Sequence, residues 1–235
     1  MNTVAVIPAR GGSRGIPRKN LVLLGGHPLV AWSIAEARTS GLECVVSSDD
    51  EEILSVARSY GAWGIRRPPE LSTGMLEHPD DVIIHALDEW EKTNPAVELV
   101  VFLQPTVPIR PQVQSYTLTR RCLILHATGR FDSVMTARPL HFVWHRATVD
   151  SEWISNAGRI PRQQISEGQL RYAEDGAVYV TRVSTLRATR SRVAGRLGLI
   201  HTPCWTPDID IPHDLRVAES LLWMAGATPR AGPGS

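Results

Sequence analysis

The chain has 235 residues, enough to bury one substantial core with an appendage. Its 25 lysines and arginines against 24 aspartates and glutamates leave a formal charge of +1. That balance excludes a general pull toward nucleic acid or an anionic membrane and makes any anion binding local.

Cys44, Cys122 and Cys204 are widely separated and lack metal-ligand spacing, so neither a disulfide framework nor a cysteine-bound zinc is expected. No apolar run approaches the ~20 residues of a membrane helix. The opening MNTVAVIPAR enters a strand at once, without the basic, apolar and cleavage regions of a secretion signal. A cytoplasmic protein is expected.

The first half alternates strand and helix signals, the pattern of a parallel α/β sheet. Val4 to Ile7 is an apolar run that reads as the first strand. Pro28 opens a helix over 28–40, with Leu29, Ile34 and Ala37 among its apolar positions. A second strand is expected over 43–48, and Asp49-Asp50 are placed to cap a helix over 51–60, which Gly61 ends. A short strand over 62–65 follows. The next helix starts at Pro79 with Asp80 and Asp81 in its first turn, and puts Val82, Ile83, Ala86, Leu87 and Trp90 on one face. Residues 99–103 are continuously apolar, as expected of a central strand covered on both sides. Pro111 is read as the start of a helix running to about Thr128. From Asp132 the texture becomes strand-like, with pieces at 142–149, 153–154 and 170–181. A late strand over 197–201 and a helix over 215–224 close the chain. The expected organisation is one domain over 1–227, with 140–182 as an inserted β-rich extension and a disordered Pro/Gly-rich tail over 228–235.

Residues 7–20, IPARGGSRGIPRKN, carry the most chemistry. Gly11, Gly12 and Gly15 let the backbone approach a ligand closely. Arg10, Arg14, Arg18 and Lys19 are interleaved with them. Convergent amides with fixed positive charge are how proteins hold a polyphosphate. The spacing is neither that of a P-loop nor that of the dinucleotide fingerprint, and a glycine turn beside a solvated basic run is the plain alternative.

The segment resembles the signature of the acylneuraminate cytidylyltransferases. So do RRPPEL at 66–71, VFLQPTVPIR at 101–110, IPRQQI at 160–165, DGAVYV at 175–180 and PDIDIPHDL at 207–215, in the same order across nearly the whole chain. The resemblance implies an α/β fold: a Rossmann-like nucleotidyltransferase three-layer sandwich with a mainly parallel sheet and a small β-rich dimerisation extension. It implies transfer of CMP from CTP to an acidic, sialic-acid-like nonulosonic sugar, with release of pyrophosphate. It further implies a Mg²⁺ cofactor and a homodimer with a shared site.

In that resemblance Arg10, Ser13 and Lys19 hold the triphosphate, and the Gly11 and Gly12 amides add donors. Asn20 reads the cytosine, for which an amide offers a donor and an acceptor. Arg14 stands where a lysine is usual, and Arg67 contributes to nucleotide binding. Gln104 meets the sugar acid, or caps the turn after its strand. Arg162 forks onto the sugar carboxylate from the partner protomer. Tyr179 lines the sugar pocket, or packs in the core. Asp208 and Asp210, two apart in an extended segment, present both carboxylates to one side and bind the metal. Arg10, Lys19, Asp208 and Asp210 are thus expected to carry the chemistry. Asp214 and Asp49 read as helix caps, and Arg18 and Arg66 as solvated.

Three segments depart from the pattern, all facing the acid. LSTGMLEHPDD at 71–81 loses the usual aspartate-threonine pair. The region of His141 and His145 has no lysine, and 165–175 is longer, with Ala173-Glu174 where an arginine is usual. Two alternatives follow: a cytidylyltransferase for a phosphonate or another acid, or a non-catalytic nucleotide-binding regulator.

Overall fold

The computed structural model describes residues 1–72, 79–140, 164 and 171–225. Strand β1 (Thr3–Pro8) is followed by a long loop with one 3₁₀ turn (Lys19–Leu21) and by a two-residue hairpin, β2 (Leu23–Leu24) and β3 (His27–Pro28). Then come α1 (Leu29–Thr39), β4 (Glu43–Ser48), α2 (Glu51–Ser59), β5 (Trp63–Arg66), α3 (Pro79–Glu91) and β6 (Leu99–Leu103). The remaining elements are α4 (Leu118–Ala127), β7 (Ser133–Leu140), β8 (Arg171–Arg182), α5 (Val183–Thr189), β9 (Leu197–His201) and α6 (Pro212–Ala225).

Seven strands form one sheet in the order β5-β4-β1-β6-β8-β7-β9. All run parallel except β8, which is antiparallel to both neighbours. Successive side chains of a strand point to opposite faces, so β1 feeds two cores. Ala5 and Ile7 pack with α1, α2 and α4 residues such as Ile34, Ile53 and Leu118. Val4 and Val6 pack with Ile83 and Leu87 of α3 and Leu186 of α5. The result is the expected three-layer α/β sandwich.

A third cluster matters more for function. Ile16 of the loop after β1, Leu29 and Trp32 of α1, Ile209, and Ala218 and Leu222 of α6 are buried together. Each fully buried aliphatic side chain stabilises by roughly 1.5–3 kcal/mol. This cluster welds the glycine-rich loop to the segment that carries Asp208 and Asp210.

Most elements lie where the pattern puts them, and β4, β6 and β9 match to the residue. The helix expected from Pro111 begins only at Leu118. Gln114 and Ser115 both take positive φ, 52° and 66°, and form a tight turn between the bridged Val113 and Tyr116. Thr117 then caps α4 by accepting from the Arg120 amide at 3.0 Å. Helix α5 has no counterpart in the sequence-based expectation. The strands expected at 142–149 and 153–154 and the tail lie outside the described residues.

Candidate active site

The chain leaves β1 toward β4 on one side and later enters β6 on the other, so the strand order reverses between β1 and β6. Open α/β sheets bind ligands beyond the carboxyl ends of the strands at such a point. A cleft of about 660 Å³ opens there, lined by Arg10, Ser13, Arg14, Lys19, Asn20 and Arg67 on one side and Gln104, Asp208 and Asp210 on the other.

Long-range contacts set this geometry. A Cβ on Gly15 would lie 2.0 Å from the Asp210 carbonyl oxygen, so only glycine permits the loop to rest on that segment. Lys19 is buried, and its ammonium donates to the Ile209 carbonyl at 2.6 Å and to the Asp210 carboxylate at 2.8 Å. The Ile209 amide donates to the Thr106 carbonyl at 2.7 Å. Asp214, in the first turn of α6, accepts from the Asp210 and Ile211 amides, both at 2.9 Å. Those amides hold its pKa below the usual carboxylate range. The acidic segment is therefore clamped from three directions.

Arg10 and Arg14 line the cleft and make no ion pair among the described residues. Their charge is available to a ligand. Asn20 is 4% exposed; its amide nitrogen donates to the Arg10 carbonyl at 2.8 Å, while its buried Oδ1 has no partner. Arg67 is also buried, donating to the Ser47 carbonyl at 2.8 Å.

Asp208 accepts from the Gln104 amide at 3.0 Å. Protein packed around the carboxylate raises its pKa, and the nearby Asp210 charge adds to this against the Thr106 hydroxyl, Lys19 and Gln104. A divalent cation would relieve that repulsion. Among the described residues no group of three or more acidic, histidine or cysteine side chains converges as a cage. Two carboxylates at the mouth of an anion cleft fit a Mg²⁺ ion, which keeps several waters and takes phosphate oxygens.

A second cavity of about 420 Å³ adjoins the first and shares Gln104, Arg192 and Asp208 with it. Tyr179 packs in the core and also lines this cavity. Its ring packs edge-on against Phe102 at 5.4 Å, while its hydroxyl donates to Glu174 at the cavity wall. Burial and that acceptor push the phenol pKa well up.

A family model described as Cytidylyltransferase matches residues 4–108. The N-acylneuraminate cytidylyltransferase of Oncorhynchus mykiss is 30% identical over 230 residues, 94% of this chain and 50% of that protein. The CMP-N,N'-diacetyllegionaminic acid synthase of Legionella pneumophila is 30% identical over 238 residues, 94% of this chain and 97% of that protein. The chain belongs to the acylneuraminate cytidylyltransferase family. It spans about half the length of the Oncorhynchus mykiss relative and nearly all of the Legionella pneumophila one. A solved CMP:2-keto-3-deoxy-manno-octonic acid synthetase complexed with CTP shares the fold, with a TM-score of 0.65 at 17% identity over 96% of this chain and all of that one.

For this member of the family, the structure revises several residue assignments. The Gly11 amide already donates to the Asp49 carboxylate at 2.9 Å, so it is not an open donor, and Asp49 caps no helix. Asp50 alone caps α2, accepting from the Glu52 amide at 2.8 Å. Gly12 lies outside the cleft lining. Arg18 is exposed, as expected, and pairs with Asp50 at 3.0 Å and Glu52 at 2.8 Å. Arg66 is exposed, as expected. Gln104 both donates to the Thr106 hydroxyl in the following turn, at 2.8 Å, and faces the cavities. Arg162 lies outside the described residues.

Two arginines escaped the sequence reading. Arg110 closes the VFLQPTVPIR motif and is buried, donating to the Gln104 carbonyl at 2.8 Å and the Ala177 carbonyl at 3.0 Å. Burial lowers its pKa to about 10, although Glu36 and Asp175 favour its charge. Arg192 stands between the two cavities. It pairs with the buried Asp80 at 2.7 Å and lies over the Phe102 and Tyr179 rings at 4.8 and 4.7 Å. Burial opposes its charge, but Asp80 outweighs this and the pKa is raised. Arg110 had a motif to flag it; Arg192 had none.

Proposed function

We propose that this protein transfers CMP from CTP to an acidic sugar of the nonulosonic type, in the presence of Mg²⁺. The single observation that carries this is one cleft at the sheet's switch point. It joins two unspent arginines, Arg10 and Arg14, to the carboxylates of Asp208 and Asp210, with a second cavity opening beside them. In the reaction an acceptor hydroxyl oxygen bonds to the α-phosphorus of CTP. The bond from that phosphorus to the β-phosphate bridging oxygen breaks, pyrophosphate leaves, and the hydroxyl proton goes to solvent. Both substrates are anionic, so holding them together against repulsion is the main task.

Arg10 and Arg14 would meet the triphosphate with charge-assisted hydrogen bonds. Lys19 holds Asp210 in place and adds positive charge at the cleft floor. Asp208 and Asp210 would hold Mg²⁺, which supplies charge neutralisation and lowers the pKa of a bound hydroxyl. The unpartnered Oδ1 of Asn20 suits the exocyclic amine of cytosine, a donor that uracil lacks. Gln104 and Tyr179 would face the acceptor. The working unit would be a homodimer whose site is completed by Arg162 of the partner subunit.

The test is pyrophosphate release from CTP and from UTP against a panel of acids. The panel comprises N-acetylneuraminate, N,N'-diacetyllegionaminate, pseudaminate, 3-deoxy-manno-octulosonate and a phosphonate. Turnover with CTP and a sugar acid, and little with UTP, is the expected result. Use of the phosphonate alone would change the acceptor class. Tight CTP binding without turnover on any acid would leave a nucleotide-binding regulator.

A further inference from the structure

Five charged side chains line the second cavity: Arg138, Glu174, Asp175, Arg192 and Asp208. Four are already engaged. Glu174 accepts from the Tyr179 hydroxyl. Asp175 accepts from the hydroxyls of Thr136 and Thr202 and, at 3.0 Å, from the Ala177 amide. Asp208 accepts from Gln104 and Arg192 pairs with Asp80. Of these carboxylates, Glu174 and Asp175 are held by neighbours, and Asp208 is the one the functional reading above gives to Mg²⁺.

Arg138 is different. It sits on β7 directly across from Ala173 of β8, and paired side chains on adjacent strands share a face. The methyl group opposite leaves the guanidinium uncovered. Its residue is half-buried, its Nε is shielded from solvent without a hydrogen-bond partner, and it makes no ion pair among the described residues. The charge of Arg138 has no counter-charge within the described residues, and an anion entering the cavity would supply one together with an acceptor for Nε.

We propose that Arg138 grips the anionic group of the acceptor from within the protomer's own second cavity, and so favours an acid over a neutral sugar. The proposal rests on the functional reading above, in which the second cavity receives the acceptor. The planar fork of arginine matches a carboxylate through two parallel hydrogen bonds. Besides Asp208, which the reading above gives to Mg²⁺, Glu174 and Asp175 line the same cavity, so an acid entering it meets repulsion that the committed Arg192 cannot offset alone. Arg138 supplies the missing charge. The exposed Trp205 also lines the cavity and offers an apolar ring to the body of the sugar.

The test compares wild type with Arg138→Ala, Arg138→Gln and Arg138→Lys. The acceptor is whichever panel acid the wild type uses, together with the amide of its carboxyl group. Loss of a charge-assisted pair should raise the KM for the acid roughly ten- to hundredfold. The KM for CTP and the thermal midpoint should hold, since Arg138 lines only the acceptor side. Arg138→Lys should recover part of the loss, and Arg138→Ala should no longer distinguish acid from amide. Should the alanine variant fail to fold, the glutamine variant, which keeps most of the stem, decides. An acid KM unchanged in the variants, or one that rises only in step with the KM for CTP, overturns the role of Arg138 while the function stands. A wild type that binds CTP but uses no acid overturns the function, and this role with it.

Discussion

Replacing Gly15 by alanine should uncouple the phosphate loop from the acidic segment. The new Cβ would sit 2.0 Å from the backbone oxygen of Asp210, where real contacts begin near 3.4 Å. More than ~1 Å must therefore be given up, and neither partner can yield freely, because this is backbone against backbone. Ile16 is buried next to Gly15, while Lys19 and Asp214 hold Asp210. Overpacking of this kind costs roughly 1–3 kcal/mol of stability. A displacement of about 1 Å in a positioned group costs about a hundredfold in rate. The loss should appear in kcat for pyrophosphate release at saturating CTP and acid, with the thermal midpoint lowered but unfolding still cooperative. Gly12→Ala is the contrasting case, since no atom lies within 4 Å of a Cβ there, and it should lose far less. A Gly15→Ala protein with wild-type kcat and thermal midpoint would show that the loop does not rest on Asp210 in the working enzyme.

Three further outcomes are expected. Asp208→Asn should lower turnover by several orders of magnitude at saturating Mg²⁺, while CTP binding without metal persists; an unchanged rate would take Asp208 out of the site. The folded pKa of Asp208 is raised, so its contribution to stability is present below the unfolded value, near 3.8, and is lost as pH rises through the folded one. Denaturant titrations without metal should therefore show the asparagine variant gaining on wild type from pH 3.5 to 7, and a constant difference would contradict the assigned shift. Mixing an inactive Arg162→Ala chain with an inactive Asp208→Asn chain should restore activity through heterodimers holding one intact composite site. Tagged pull-down must first show subunit exchange; exchange without recovery would rule out sharing.

Local chemistry was enough to read most of the elements. Residues 99–103 are apolar throughout because the strand is covered on both faces, and β6 occupies that stretch. Pro79 with two acidic residues behind it, and Asp50 ahead of Glu51, announce helix starts because caps and dipoles act within one turn. The cation-studded glycine loop, the paired aspartates and the family were legible too, since each is a short contiguous motif. Tertiary structure decided whatever depends on a neighbour remote in sequence. Pro111 fits a helix start, yet the tight turn at Gln114 and Ser115 and the Thr117 cap delay α4. Asp49 and Asp50 are adjacent and chemically identical, but the Gly11 amide, 38 residues away, takes one of them. Lys19 reads as a phosphate ligand; that it also pairs with Asp210, 191 residues on, is set by the fold. Arg138 and Arg192 belong to no motif, because what surrounds them comes from other strands and helices. A motif records what neighbouring residues can do together; only the packed sheet determines which charges are already spent and which are left for a substrate.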